Sequence, residues 1–495
     1  MYFSQSRKAL VAFAGALAIA AGALASNGSA AAAPSCPSYG SASASQLWIP
    51  PRVTGTDVKL TLAPSSRQFF AGALTPTIGY GGCQLWGPTI VMQQGTTVHM
   101  HVTNALGEPT TTHWHGIHLP AAADGGPMQV IKAGATWSPS FKVLNHAATY
   151  WYHPHLDEKT NEQLMRGAGG FIIVNDPQES ALRLPRTYGV DDIPLFLSSR
   201  RFTAAKAIDT DVSVTPYGDF MLTNGVMNAQ VSLPKQLVRL RLLNVETERA
   251  YNLGFADNRT FQVIGTDGGL LNKPVPVTRL PLYPGERYEV LVDLSNDRVG
   301  GSLKLQAFNV QPFGFPGAEP ASSGTFGSLL NNRTFNVLSI TVKAATAGAV
   351  TKVPATLAHF TFPTLAQASV RRTISITDQG PGTPFTFDGK GYGMSRIDQR
   401  VKLGATEAWT IKNNQTFSHS FHIHDVQFFL VGSTDGPVPA YRQGWKDTFP
   451  IAQNVSTTFV ATFLDFASPT DAYMYHCHMA NHEDEGLMSQ FLVVK

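Results

Sequence analysis

GTTVHMHVTN, at residues 95–104, has the pattern of a β-strand with one buried face. Apolar residues occupy every second position from Val98 to Val102, and residues two apart point to the same face of a strand. GATEAWTIKN at residues 404–413 repeats this design, and LVRLRLLN at residues 237–244 is a similar strand. One strand pattern that recurs in each third of the chain indicates a repeated all-β unit.

Histidine pairs follow the outer two copies of this strand. The sequence places His113 nine residues after Asn104 and His422 nine residues after Asn413. Both outer thirds carry two His-x-His pairs in the same order, and these pairs are His113/His115, His153/His155, His422/His424 and His476/His478. In the middle third the first two of these positions are Leu253 and Phe255. We therefore predict that the middle third binds no metal and serves as a spacer and packing partner, with an ordinary core strand in YPGERYEVLVDL at residues 283–294.

Length and composition agree with three β-rich domains. A chain of 495 residues is too long for one hydrophobic core, and a prior of about 150 residues per domain gives roughly three. The 44 glycines and 32 prolines favour short strands and many turns, as in Greek-key sandwiches or barrels. A net charge of +3 without a basic run gives no reason to expect nucleic acid or a membrane surface as a partner. We predict domains at residues 34–176, 177–350 and 351–495.

Residues 1–33 have the composition of a cleaved export signal. Arg7 and Lys8 precede an apolar run, and small residues suited to signal-peptidase cleavage follow it. The run is short and weakly apolar for a membrane anchor, which needs about 20 residues. We predict a periplasmic or secreted protein without stable membrane insertion, and both general and twin-arginine export fit this segment.

The three cysteines fit an oxidising compartment. Cys477 lies between two histidines and is a candidate metal ligand, which leaves Cys36 and Cys83 as a plausible disulfide. Lipid modification of Cys36 is the alternative, although the residues before it lack the aliphatic side chain that such a site prefers.

The stretch around Cys477 predicts two different metal sites on one strand. Residues i and i+2 share a face of a strand, so that His476 and His478 point one way and Cys477 the other. His419 and His482 are the candidate partners of this cysteine, and a thiolate with two imidazoles is the set found in blue-copper electron-transfer sites. This geometry indicates electron transfer from a thiolate-bound metal to a histidine-bound cluster.

The four histidine motifs also carry a family resemblance. HWHGIH, HPH, HSFHIH and HCHMANHEDEGLM resemble the four copper signatures of the multicopper oxidases, specifically the three-domain laccases, a group with spore-coat laccase, bilirubin oxidase and bacterial cuprous oxidases. The resemblance spans about Trp48 to the C-terminus. It implies three consecutive cupredoxin-like Greek-key β-barrel domains and four copper ions: one type 1, one type 2 and a type 3 pair.

The resemblance also implies a role for each ligand. The type 1 copper would be held by His419, Cys477 and His482, and the type 2 copper by His113 and His422. The type 3 pair would be held by the remaining six imidazoles, which are His115, His153, His155, His424, His476 and His478.

Two acids and one axial position follow from the same resemblance. Asp124 and Glu483 match carboxylates that manage protons while O₂ is reduced, and a buried cluster needs such relays. Leu487 stands where bacterial relatives carry the axial methionine, which would leave the type 1 copper three-coordinate and raise its potential. A shift of one residue that lets Met488 coordinate is the alternative.

The expected activity is that of a laccase: one-electron oxidation of phenols or aromatic amines coupled to reduction of O₂ to water. Oxidation of Cu(I) or Mn(II) is the alternative, but only Met394 falls between Lys352 and Gly404, where dedicated cuprous oxidases carry a methionine-rich insert. A structural or cell-envelope role, as in relatives without metals, is a third possibility that the complete ligand set disfavours.

The other histidines have no partners recognisable from the sequence. His99 and His101 alternate with the inward residues of their strand and should face outward. His118, His146 and His359 stand alone. Asp447 and residues 323–328 are candidates for the approach to the type 1 site.

Overall fold

A computed structural model describes residues 35–312, 314–377 and 385–495. The predicted signal peptide lies outside the described residues. Among the described residues, no helix has both the length and the apolar character needed to cross a membrane.

The first third of the chain forms two five-stranded sheets. Their spatial orders are β1-β4-β10-β9-β6 and β3-β2-β5-β7, the second with β8 also paired to β5. The strands are β1 (Arg52–Thr54), β2 (Asp57–Phe70), β3 (Ala73–Tyr80), β4 (Thr89–Gln93), β5 (Thr97–Asn104), β6 (His113–His115), β7 (Thr136–Trp137), β8 (Ser140–Lys142), β9 (Ala148–His153) and β10 (Gly170–Asn175).

The middle third pairs a seven-stranded sheet with a five-stranded one. Their orders are β13-β12-β11-β15-β20-β17-β18 and β14-β22-β21-β16-β19. The strands are β11 (Asp192–Arg200), β12 (Phe220–Thr223), β13 (Val226–Met227), β14 (Gln230–Pro234), β15 (Leu237–Asn244), β16 (Tyr251–Phe255), β17 (Phe261–Thr266), β18 (Gly269–Val277), β19 (Leu280–Leu282), β20 (Arg287–Asp293), β21 (Ser302–Phe308) and β22 (Thr334–Lys343).

The last third repeats the arrangement with two five-stranded sheets. Their orders are β24-β23-β26-β30-β28 and β25-β32-β31-β27-β29. The strands are β23 (Val370–Thr377), β24 (Thr386–Phe387), β25 (Gln399–Lys402), β26 (Thr406–Asn413), β27 (His419–Ile423), β28 (Phe428–Ser433), β29 (Thr448–Ile451), β30 (Ser456–Thr462), β31 (Tyr473–Cys477) and β32 (Met488–Val494).

Helices are short and few in the described parts of the chain. They are the α-helices α1 (Thr160–Arg166), α2 (Pro177–Ser180) and α3 (Ala480–Asp484), with 3-10 turns at Ala121–Ala123, Gly324–Phe326, Leu365–Gln367 and Ala440–Arg442. The predicted all-β class with three consecutive two-sheet domains is confirmed.

The repeated strand has the same neighbours in all three domains. β5, β15 and β26 each pair in parallel with the first long strand of their own domain, which is β2, β11 and β23 respectively. In β5 the alternation is as predicted, because Met100 is fully buried while His99 is exposed. His101 also faces outward, with its ring between Ser138 and Asp57.

A disulfide fixes the start of the described chain. Cys36 and Cys83 are bonded across a sequence separation of 47, as predicted, so that Cys36 is not available for a lipid. This bond joins the N-terminal segment to the turn that follows β3. Cys477 is the free cysteine of the described chain, and it is buried.

Candidate functional site

Strand register brings the histidines of the first domain together. β6 and β9 are antiparallel, with His113 opposite His153 and His115 opposite Trp151. Residues directly opposite each other in an antiparallel pair project from the same face, and so His113, His115 and His153 share a face. His155 lies just beyond the end of β9, so its placement depends on the loop rather than on the pleat.

In the last domain, strand register places candidate ligands on both faces of one sheet. In β27 and β31, His422 lies opposite His476 while Phe421 lies opposite Cys477. The pleat therefore sends Cys477 to the face opposite that of His476. His424 and the second histidine of the Cys477 motif, His478, fall one residue beyond their strands, so the prediction that each pair lies within a strand holds only in part.

Eight buried imidazoles from the first and last domains meet in one place, which we call the histidine cluster. Its members are His113, His115, His153, His155, His422, His424, His476 and His478. Within it, the Nε2 atoms of His155, His424 and His476 lie 3.2–3.3 Å from one another. Such a triangle suits three ligands of a single ion, since metal–imidazole distances are about 2.0 Å.

Three other nitrogens of the cluster have no hydrogen-bond partner. The Nε2 atoms of His113, His153 and His422 are buried and have no hydrogen-bond partner. Candidate ligand atoms within 4.8 Å of one another also include the sets His113/His115/His153 and His113/His422/His424. A buried polar atom without a partner is costly, and so this arrangement fits bound metal ions.

For three of these histidines, a hydrogen bond at Nδ1 fixes the direction in which Nε2 points. Nδ1 of His113, of His153 and of His422 lies 2.7–2.9 Å from the backbone oxygens of Asp124, Pro154 and Asp447, respectively. Such outer partners fix the tautomer and orientation of a metal-binding imidazole.

His115 is turned the other way. Its Nδ1 atom lies 3.1 Å from Nε2 of His478, and its Nε2 atom lies 3.2 Å from Oδ1 of Asp447. Asp447 is fully buried beside the cluster rather than on the approach to the other site, where the sequence had suggested it. Arg287 contacts both of its carboxylate oxygens at 2.6 Å.

Burial keeps most of the cluster imidazoles neutral, as metal ligands must be, whereas for His155 burial is outweighed by Glu483, which raises its pKa. Burial lowers the pKa of His115, His153 and His422 well below the ordinary value, and nearby histidines lower it further. Burial also lowers the pKa of His478. Neutral imidazole with a free lone pair favours copper, zinc, iron or nickel.

The two predicted acids contact the outer edge of the cluster. Oδ2 of Asp124 lies 2.6 Å from Nδ1 of His424, and Glu483 lies 3.1 Å from Nδ1 of both His155 and His476. Burial alone would raise the pKa of Glu483, but these two histidines hold it well below its ordinary value. His424 and His113 act in the same way on Asp124. Both carboxylates are therefore ionised acceptors placed behind candidate ligands.

A second site lies on the opposite face of β31, and we call it the thiolate site. Sγ of Cys477 lies 3.5 Å from Nδ1 of His419 and 3.6 Å from Nδ1 of His482, and these two nitrogens are 3.1 Å apart. All three residues are buried. The set is trigonal and has the composition of a blue-copper site, as the sequence predicted.

A residue of the middle domain completes the surroundings of the thiolate site. Oε1 of Glu248 lies 3.1 Å from Nε2 of His482. Burial alone would lower the pKa of His482, but Glu248 and the neighbouring Cys477 together raise it to about 10. The sequence assigned no role to Glu248, because nothing near it in the chain resembles a ligand motif.

The strand register also separates the two candidate axial residues. Met488 pairs with His476 across β31 and β32, which puts its side chain on the face of the histidine cluster. Leu487 is fully buried in the apolar cluster that contains Cys477. The alternative in which Met488 moves to the thiolate site is therefore disfavoured by the register.

The structure also shows the surroundings of residues 323–328 and of His118. Phe326, within residues 323–328, lines a cavity of about 590 Å³ together with Phe385 and Phe417. His118, which stood alone in the sequence, lies 3.0 Å from Asp465 and also contacts Asp425.

Comparisons with known proteins agree over most of the chain. Sequence models of multicopper oxidase domains match residues 64–179, 200–301 and 364–495. "Multicopper oxidase mco" of Staphylococcus haemolyticus is 30% identical over 435 residues, or 86% of each chain. "Cell division protein FtsP" of Rahnella sp. is 33% identical over 436 residues, or 86% of this chain and 88% of the relative.

Solved structures show the same architecture. A laccase-like multicopper oxidase, CueO, from a lignin-degrading Ochrobactrum sp., described as having oxidase activity towards lignin model compounds and lignosulfonate, has a TM-score of 0.81 and 32% identity. The match covers 90% of this chain and all of that one. The predicted cupredoxin-like fold is thereby confirmed.

Proposed function

Because the chain belongs to the multicopper oxidase family and is a copper-dependent oxidoreductase that uses O₂, we propose that it is a laccase. It removes single electrons from phenols or aromatic amines at the thiolate site and delivers them to O₂ at the histidine cluster. The observation that carries this proposal is β31, which sends Cys477 to one site and His476 to the other.

The proposed ligands follow the two sites. His419, Cys477 and His482 hold the type 1 copper, and His113 and His422 hold the type 2 copper. The type 3 pair is held by His115, His153, His155, His424, His476 and His478. When bound, these four copper ions would accept electrons one at a time and supply the four electrons that reduce one O₂ to water.

The chain supplies the connection between the sites. Cys477 is covalently joined to His476 and His478, so that one short stretch of backbone links the thiolate sulfur to ligands on both sides of the cluster. Burial of all three residues excludes water from this path. Fixed ligands in a dry environment need little rearrangement when an electron passes.

Asp124 and Glu483 handle the protons that reduction of O₂ to water consumes. Each is an ionised hydrogen-bond acceptor behind candidate ligands, which places it where protons must pass on their way to the cluster. Oε1 of Glu483 also accepts a hydrogen bond of 2.8 Å from the hydroxyl of Thr160, which extends the polar path away from the cluster.

An organic reductant is favoured by the surroundings of the thiolate site. The rings of Phe385 and Phe417 contact His419 and His482, and both phenylalanines line the cavity of about 590 Å³. An aromatic wall suits a phenol or an aromatic amine. In the described part of residues 352–404 the sole thioether is that of Met394, and so a soft site for Cu(I) is not evident there.

Two other functions remain as candidates. Oxidation of Cu(I) or Mn(II) uses the same two sites with a different reductant. A role like that of cell division protein FtsP is suggested by the 33% identity of the Rahnella relative, and the complete ligand set of this chain opposes it.

One purification tests these candidates. The protein loaded with copper should contain four ions per chain, show intense visible absorption from the thiolate site and take up O₂ with a phenol. The matched variant Cys477→Ser should lose the colour and the uptake while it keeps cluster copper. A colourless, fully loaded protein would contradict the thiolate site, and uptake with Cu(I) alone would favour the metal oxidase.

We also propose that the protein acts outside the cytoplasm. The Cys36–Cys83 disulfide supports this placement, since such bonds persist in oxidising compartments. Detection of the mature chain in the periplasm or medium, with its N-terminus near residue 34, is the expected result.

A further inference from the structure

We infer that the middle domain, which contributes no proposed copper ligand, positions the histidine cluster: Arg287 fixes Asp447, and Asp447 fixes the ring of His115. This inference rests on the proposed ligand assignment but not on the identity of the reductant.

The ring orientation of His115 needs a specific cause. His115 turns Nδ1 towards the cluster, whereas His113, His153 and His422 turn Nε2 inward. A flip of the ring would exchange its two nitrogens and move the inward lone pair. Oδ1 of Asp447 lies 3.2 Å from Nε2 of His115, so that this nitrogen carries the proton and Nδ1 is left free to bind a metal.

Asp447 can do this only while it is held in one orientation. Its carboxylate is fully buried, and Arg287 contacts both oxygens at 2.6 Å, which is the fork geometry that suits a guanidinium. The hydroxyl of Thr448 donates a third bond, of 2.9 Å, to Oδ1. Both carboxylate oxygens are therefore held by donors, and Oδ1 lies beside His115.

Arg287 is itself fixed by all three domains. It opens β20 of the middle domain, and its Nε atom donates to the backbone oxygen of Thr149 in the first domain. One of its terminal nitrogens donates to the backbone oxygen of Asp267, 3.0 Å away. Gly285, two residues before Arg287, packs directly against His478. A Cβ added at Gly285 would lie only 2.6 Å from the Cγ atom of that ring.

The motif HWHGIH contains a glycine that the ligand roles do not explain. A Cβ on Gly116 would lie 2.5 Å from Oδ2 of Asp447 and 2.7 Å from a terminal nitrogen of Arg287. The Arg287–Asp447 pair thus occupies the space that a side chain at Gly116 would need. A glycine one residue after His115 is what this arrangement requires.

A purely structural ion pair is the competing explanation, and the chain offers a matched control. Arg239 is also fully buried in the middle domain and is paired with Glu289 and Glu179. Within the described residues, Arg239 forms no hydrogen bond or ion pair with the histidine cluster or with Asp447. Loss of either arginine should lower stability, but only the loss of Arg287 should disturb copper in the cluster.

The experiment compares Arg287→Gln, Arg287→Lys, Asp447→Asn and Arg239→Gln with the wild type. Each protein is stripped of copper, titrated with Cu(II) against a competing chelator and examined by electron paramagnetic resonance, with copper at the thiolate site as the internal reference. We expect Arg287→Gln and Asp447→Asn to bind cluster copper about 10–100-fold more weakly, as is typical for loss of an outer partner. Arg287→Lys keeps the charge without the fork and should fall between, while Arg239→Gln should keep wild-type affinity.

Two results would overturn the inference. One is folded Arg287→Gln and Asp447→Asn proteins with wild-type cluster affinity, and the other is an equal loss in Arg239→Gln. If Arg287→Gln does not fold, Arg287→Lys and Asp447→Asn decide the question. A wild type that binds no cluster copper would overturn the ligand assignment as well, whereas failure to oxidise phenols would leave these affinities unchanged.

Discussion

Replacement of Glu483 by glutamine tests the carboxylate behind the Nε2 triangle. The carboxylate lies 3.1 Å from Nδ1 of both His155 and His476. Glutamine has one carbonyl oxygen in place of two, so one of these nitrogens loses its acceptor. His476 has a second acceptor in the backbone oxygen of Cys477, 3.0 Å away, and the loss should therefore fall on His155.

Two independent estimates of the cost agree. A buried hydrogen bond to a charged group contributes about 1.5–3 kcal/mol. Loss of an outer partner weakens metal binding about 10–100-fold, which is about 1.4–2.8 kcal/mol. Turnover should fall further than affinity, because a positioned proton carrier contributes about 10²–10⁴-fold.

Chelator competition and O₂ uptake with a phenol measure the two effects separately. Glu485→Gln is the matched control, since Glu485 is exposed at the end of α3 and bonds Asn481. Unchanged copper affinity in Glu483→Gln, or an equal loss in Glu485→Gln, would refute the reasoning. Full affinity with lost turnover would leave Glu483 a proton carrier and remove its role in positioning His155.

Three further predictions have defined outcomes. Leu487→Met should lower the type 1 potential in a redox titration, because a thioether stabilises Cu(II). Met488→Leu should leave the potential unchanged. An unchanged potential in Leu487→Met together with a changed one in Met488→Leu would show that the axial assignment is wrong. Cys36→Ser should lower the free energy of unfolding in denaturant by about 4 kcal/mol, from the entropy of closing a loop with a separation of 47, and an unchanged midpoint would contradict this. Burial opposes protonation of His118, but Asp425 and Asp465 raise its pKa, so the stability that its protonated ring contributes is lost as the pH rises through the folded pKa. The stability difference between wild type and His118→Asn should therefore shrink with increasing pH, and growth of that difference would be inconsistent with the two carboxylates.

The sequence was sufficient where the chemistry is local to one strand. Alternation around Cys477 and the spacing of the His-x-His pairs placed the thiolate and the cluster histidines on opposite faces, because a period of two is a property of the backbone. His155, His424 and His478 also reach the cluster, but they lie just past strand ends, so alternation alone does not account for them. Their positions depend on loops, whose course the alternation does not determine.

Contacts between domains could not be predicted in this way. Arg287 and Asp447 are 160 residues apart, and neither belongs to a histidine motif. Glu248 reaches His482 from a loop of the domain that the sequence describes only as a spacer. These pairings depend on how three barrels pack, and the pattern of a single sequence contains no signal for that packing. The glycine after His115 was the one available hint, since a residue without a side chain often marks a close approach.

The Nε2 triangle draws one member from the first domain and two from the last, with His476 close to the C-terminus. Because of this division, a nascent chain, a truncated product or a proteolytic fragment lacks the atoms needed to capture the ion. Under the proposed ligand assignment, the ion of this triangle is held only where the first and last domains have folded against each other.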